Sequence, residues 1–195
     1  YLYGTTTDRT NANITYSFSS TSGVLTSTGS GNGDKLVGIA TADLLDGGAG
    51  NDTMYAEEGN DTMYGGAGFD WLDGGNGNDL VLGGDGNDSS RGLNGNDLIY
   101  GEAGDDDVNG NQGNDTVYGG DGVDLVRGGQ GNDLVYGDAG DDVHVNGNVG
   151  NDTVFGGTGN DSVFGGQNQD ILYGEDGNDS LSGDLGNDRP APPTM

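Results

Sequence analysis

An aspartate stands at every ninth residue over most of this chain, and that spacing constrains the fold more than any other feature. GGAGNDTMY at 47–55 is followed by AEEGNDTMY, GGAGFDWLD and GGNGNDLVL, all in one frame. Eighteen such units, written G-G-x-G-N-D-x-U-x with U apolar, run end to end from Gly29 to about Asp188. The sixth position is Asp in each of them: Asp34, Asp43, Asp52, Asp61, Asp70, Asp79, Asp88, Asp97, Asp106, Asp115, Asp124, Asp133, Asp142, Asp152, Asp161, Asp170, Asp179 and Asp188. The eighth is mostly apolar, from Leu36 and Leu45 through Met54, Val117 and Val135 to Leu172 and Leu181. DDVHVNGNVGND breaks the frame by one residue, which is read as an insertion at Asn146 with His144 beside it at an eighth position on a bulge. Ser90 also holds an eighth position without an apolar side chain.

Glycines and asparagines fill the positions where a turn needs φ > 0. Each unit therefore reads as a six-residue turn followed by a three-residue strand. With one inward side chain per strand, no unit folds alone, and stacking of neighbours is what buries a continuous core.

These motifs resemble the RTX nonapeptide family, whose unit is G-G-x-G-x-D-x-U-x. The resemblance covers residues 29–188. It implies an all-β solenoid, a parallel β-roll with two nonapeptides per turn and a calcium row along each edge, with the eighteen aspartates as metal ligands. The physical chemistry agrees. Stacked turns put aspartates of successive coils roughly 4.8 Å apart, and unscreened rows of carboxylates at that spacing repel severely. A hard divalent cation between each pair removes the repulsion. Carboxylates and turn carbonyls suit the six to eight oxygen ligands of calcium better than the tight octahedron of magnesium.

Charge follows the same logic. The chain carries 33 acidic and 5 basic residues, a net charge of -28, and is only 30% hydrophobic. Without counterions that composition predicts disorder. If units two apart stack and every gap fills, about 16 Ca2+ ions add about +32 against it, so metal binding becomes folding free energy. The same charge excludes nucleic acid as a partner and opposes an anionic membrane surface. There is no cysteine, and no apolar run approaches the roughly 20 residues of a membrane span. No signal peptide is visible, and the start at Tyr1 reads as a processed product or excised piece. TAD at Asp43 and QNQD at Asp170 lack the fourth-position glycine, so weaker or irregular sites are expected there.

Positions seven and nine flank the buried residue and face outward. In alternate units the ninth position reads Tyr64, Leu82, Tyr100, Tyr118, Tyr136, Phe155 and Tyr173, beside Leu80, Leu98, Leu134 and Ile171 at the seventh. The other sheet is mixed and more polar there, with Val37, Tyr55, Asp73, Arg91, Asn109, Arg127, Val145, Phe164 and Ser182. An aromatic strip over about 30 Å long marks an interface. Its cover is either another protein or residues 1–28, a lead-in in which Ile14, Tyr16 and Phe18 alternate as in a strand.

Enzyme signals are nearly absent. His144 is the only histidine, no zinc spacing occurs, and no serine has a partner base in a recognisable motif. The reading is a non-enzymatic, calcium-binding structural protein in three parts: lead-in 1–28, roll 29–188 and a Pro-rich tail 189–195. The resemblance implies a place outside a bacterial cell after type I secretion, and the aromatic face and open roll ends are expected to carry self-association as a filament, surface layer or matrix. The alternative is the calcium and secretion module of a larger exoenzyme, a protease or lipase.

Overall fold

The computed structural model describes residues 15–17, 26–29 and 31–190. Among these residues there is no helix. Twenty strands, from Thr15–Ser17 to Arg189–Pro190, alternate between two ten-stranded sheets in which every pairing is parallel. Each strand pairs with the strand one coil away: Leu98 with Thr116, Ile99 with Val117, Tyr100 with Tyr118. The offset is 18 residues, so two nonapeptides make one coil, and the architecture is the expected parallel β-roll. One sheet carries the tyrosine column on its outer face and the other carries Arg91 and Arg127; they are called the tyrosine and arginine sheets below.

The strands are longer than expected. Most span six residues, as in Leu98–Ala103, covering positions seven to nine and then one to three of the next unit. Only the G-N-D segment is left as a turn. The stretch bends at position two, where Glu102 has φ of 79°, but pairing resumes with Glu102 opposite Gly120. Identical coils explain this, because a bend copied in every coil leaves each amide opposite a carbonyl of the next.

Burial alternates along each strand, and the core is a single stack built from the eighth positions of both sheets. Leu36, Leu45, Met54, Met63, Leu72, Val81, Ile99, Val108, Val117, Val126, Val135, Val154 and Val163 are all fully buried. Ser90 takes its place in that stack, between Leu72 and Val108 in register, and is fully buried too.

The frame break lies elsewhere than the sequence suggested. His144 pairs with Leu125, Val145 with Val126 and Asn146 with Arg127. Val145 is therefore the buried eighth residue, His144 is a seventh, and the ninth is Asn146 in place of Val145. The extra residue is Val143, 59% exposed in the turn between Asp142 and the strand. Shifting the insertion into the turn puts an apolar valine inside and keeps the imidazole out.

In the lead-in, Thr15–Ser17 pairs with Lys35–Val37 and Thr26–Thr28 with Leu44–Asp46, so these segments extend the two sheets at one end. Ile14 and Phe18 lie outside the described residues. At the other end Arg189–Pro190 pairs with Ile171 and Leu172.

Candidate metal centre

The aspartates form two columns, one on each edge of the roll where the chain crosses between sheets. Asp34, Asp52, Asp70 and their successors make one; Asp43, Asp61, Asp79 and theirs make the other. Those from Asp34 to Asp170 are buried, 0–3% exposed, while Asp179 and Asp188 are half-buried near the end of the stack.

One oxygen of each carboxyl is taken up by the backbone. Oδ1 of Asp52 accepts a hydrogen bond from the Asp34 amide at 2.6 Å, Oδ1 of Asp115 from Asp97 at 2.8 Å, and Oδ1 of Asp188 from Asp170 at 3.2 Å. The same bond recurs between every pair of successive aspartates in both columns.

The other oxygen is the informative one. Oδ2 of Asp52, Asp61, Asp70, Asp79, Asp88, Asp97, Asp106, Asp115, Asp124, Asp133, Asp142, Asp152, Asp161 and Asp170 is buried with no hydrogen-bond partner. A buried polar atom without a partner costs about 1–3 kcal/mol, and more when charged. A row of them is not a stable arrangement unless a cation completes it.

The first-position glycines supply the space. A Cβ on Gly101 would lie 2.5 Å from Asp106 Oδ2 and 2.3 Å from the Gly119 carbonyl oxygen. A carboxylate oxygen and a main-chain carbonyl oxygen thus face the same small void, which exists because glycine has no side chain. Among the described residues no three His, Cys, Asp or Glu side chains cluster as a metal site. A bound ion would therefore draw on carboxylates and backbone carbonyls, an all-oxygen set of the kind a hard cation such as calcium takes.

Burial raises the carboxyl pKa values, against the lowering effect of the bond to the preceding amide. Asp61, Asp88, Asp97, Asp106, Asp142 and Asp152 move from 3.8 to about 7. Asp52, Asp115, Asp124 and Asp133 move to about 6. Neighbouring aspartates of the same column raise many of them further. With no cation beside them, these ten carboxyls keep their protons up to about pH 6 to 7.

Asn32, Thr41 and Asn168 stand where the other units have a fourth-position glycine, and the turns at Asp43 and Asp170 differ from each other. At Asp170, Asn168 adopts φ of 87° in the glycine's place, its amide still reaches the Leu185 carbonyl at 2.8 Å, and Asp170 keeps its orphaned oxygen. Asn tolerates this conformation because its short polar side chain bonds locally. At Asp43 the turn is rearranged, and Oδ2 accepts the Ile39 amide at 2.6 Å.

A second ladder escaped the sequence reading. Oδ1 of Asn60, Asn78 and Asn96, at fifth positions, accepts the amides of Asn78, Asn96 and Asn114 at 2.9, 2.8 and 2.7 Å. These bonds reach to the following coil, whereas each Asp Oδ1 accepts from the preceding one, so each turn is tied in both directions. The recurring Asn beside the Asp is the sequence signal for it, and it carries this ladder as well as forming the turn.

On the outer face of the tyrosine sheet, Tyr64, Leu82, Tyr100, Tyr118, Tyr136, Phe155 and Tyr173 stand in one register column. From Tyr100 to Tyr173 the rings stack with centroids 4.6–4.7 Å apart and planes within 4–7°. On the arginine sheet, Arg91 lies 4.3 Å over the Trp71 ring, Lys35 5.1 Å over Tyr55, and Arg127 pairs with Asp107.

A repeating turn that stacks orphaned carboxylate oxygens against carbonyls defines a β-solenoid whose two edges are lined with oxygens suited to a hard cation. The RTX calcium-binding nonapeptide repeat model matches residues 28–63, 55–89, 82–117, 118–143, 144–172 and 159–190. The chain belongs to that family, and its roll is a calcium-binding structural module. No curated protein matches the chain.

Proposed function

We propose that the chain is an extracellular structural protein that folds on calcium and then associates with further copies of itself through the tyrosine sheet, as in a filament, surface layer or matrix. The orphaned Oδ2 atoms of the two columns are the calcium ligands in this reading, together with turn carbonyls. RTX repeats are typical of proteins exported by bacterial type I systems, and calcium outside the cell is plentiful enough to drive folding there.

The outer face of the tyrosine sheet carries the self-association. In a chain of net charge -28, none of its outward seventh and ninth positions between Thr62 and Tyr173 bears a charge. Acidic side chains of the same strands lie along one margin of the strip, at the second and third positions of the next unit: Asp85, Glu102, Asp121, Asp138, Glu175 and Asp176. Copies of so acidic a chain repel each other on approach unless the surfaces that meet are neutral. Two such faces also share one repeat of 4.6–4.7 Å, so they match along their whole length.

Sedimentation velocity in EGTA and in millimolar calcium, over a range of concentrations, tests this. Large, concentration-dependent species are expected only with calcium, and Tyr100→Ser, Tyr118→Ser and Tyr136→Ser combined are expected to abolish them while calcium-induced folding persists. A compact monomer at every concentration would overturn self-assembly and favour a calcium module of a larger secreted enzyme.

A further inference from the structure

The turn at Asp43 departs in its hydrogen bonding from the turns that follow it. From Gly48 to Asp184, every residue at the second position of a unit has φ between 61° and 116°. Ile39, the second residue of the unit at 38–46, does not join them. A β-branched side chain at positive φ is a steric outlier. Ile39 keeps to the ordinary side, and its amide turns onto Asp43 Oδ2 at 2.6 Å.

The rest of the turn follows. From Gly50 to Asn168 the fourth-position amide crosses to the next coil, as Gly50 does to the Ala67 carbonyl and Gly59 to Asn76. Here Thr41 donates within its own turn, to the Ile39 carbonyl at 2.9 Å. The strands on this edge are short as well: Lys35–Val37 and Thr53–Tyr55 have three residues where later ones have six.

We infer that the Ile39–Asp43 turn is closed by the protein's own hydrogen bonds and takes no calcium, so the column that begins at Asp43 is one ion short at that end. The oxygen that is orphaned in the later turns has its donor here. Coordinating an ion would require breaking that bond and turning Ile39 into the backbone region it resists. The inference rests on the calcium reading of the other aspartates.

Native mass spectrometry of the whole chain in calcium counts the ions directly, with circular dichroism at saturating calcium to check folding. Asp43→Asn, which keeps an acceptor for the Ile39 amide, is expected to bind as many ions as the wild type. Asp52→Asn, which alters an orphaned oxygen, is expected to lose at least one. Ile39→Gly with Thr41→Gly, which frees the turn to adopt the common geometry, is expected to gain one. Equal losses from Asp43→Asn and Asp52→Asn, or no gain in the double variant, would overturn the inference and leave the calcium reading standing. A wild type that takes up no calcium would overturn both.

Discussion

A methyl group is enough to spoil this fold at some glycines and not at others, and the difference is set by where the aspartate oxygen lies. At Gly101 an added Cβ meets Asp106 Oδ2 at 2.5 Å and the Gly119 carbonyl at 2.3 Å, distances at which atoms must move. Both obstacles belong to the proposed ion's surroundings, so the side chain would displace the ligands themselves. Gly101→Ala is expected to destabilise the calcium-bound roll by about 1–3 kcal/mol, the usual range for overpacking, and to lower its calcium affinity. Gly31, with no atom of the described residues within 4 Å of its Cβ position, is the control: Gly31→Ala should change the melt by less than about 0.5 kcal/mol. Thermal melts at fixed calcium separate the two. Ser90 argues the converse case. Its hydroxyl is buried in the core stack without a partner, so Ser90→Val, which removes that polar group and adds apolar contact with Leu72 and Val108, is expected to stabilise by about 1 kcal/mol in the same melt.

Each aspartate column is a row of interacting groups, because every carboxyl from Asp34 to Asp170 is buried beside the next. Asp61, Asp97 and Asp106 are raised from 3.8 to about 7 by desolvation first, and by their neighbours as well. A carboxyl with a raised folded-state pKa binds its proton more tightly in the roll than in the unfolded chain. The stability it contributes is fully present below its ordinary value of 3.8 and is lost as pH rises through about 6 to 7. In EGTA the chain is therefore expected to show more β-structure by circular dichroism at pH 5 than at pH 8, with calcium restoring the fold at pH 8. More structure at pH 8 than at pH 5 in EGTA would contradict the burial of the columns. The columns themselves were legible in the sequence, since an unbroken Asp frame needs no knowledge of contacts. Strand length was not, because bonds through positions one to three depend on how coils stack. Nor was the site of the insertion: sliding it past Val143, His144 and Val145 puts an apolar or a polar residue inside, and only burial of Val145 decides. The Asn60–Asn78–Asn96 ladder was hidden for the same reason, its partners lying 18 residues away.

At the scale of the whole molecule, charge and coordination are separable causes of folding. One inward side chain per nonapeptide is little apolar burial to set against the entropy of ordering nine backbones. The core stack therefore does not carry the roll, and something must also relieve a net charge of -28. Monovalent salt at 1 M shortens the Debye length to about 3 Å and removes most of the repulsion, yet it leaves the orphaned Oδ2 atoms without ligands. Magnesium supplies the charge but holds its water and a tighter octahedron. Small-angle scattering distinguishes these effects. In EGTA at neutral pH the chain is expected near the unfolded radius of gyration, about 47 Å for its length, and in calcium close to the compact limit of about 16 Å, somewhat above it because a roll is elongated. Sodium chloride at 1 M should contract the chain only part of the way and leave it without the circular dichroism of a sheet, and magnesium should need far higher concentrations than calcium. Full folding in sodium chloride alone would mean that charge relief suffices, and that the oxygens lining the two edges are not what the ion is needed for.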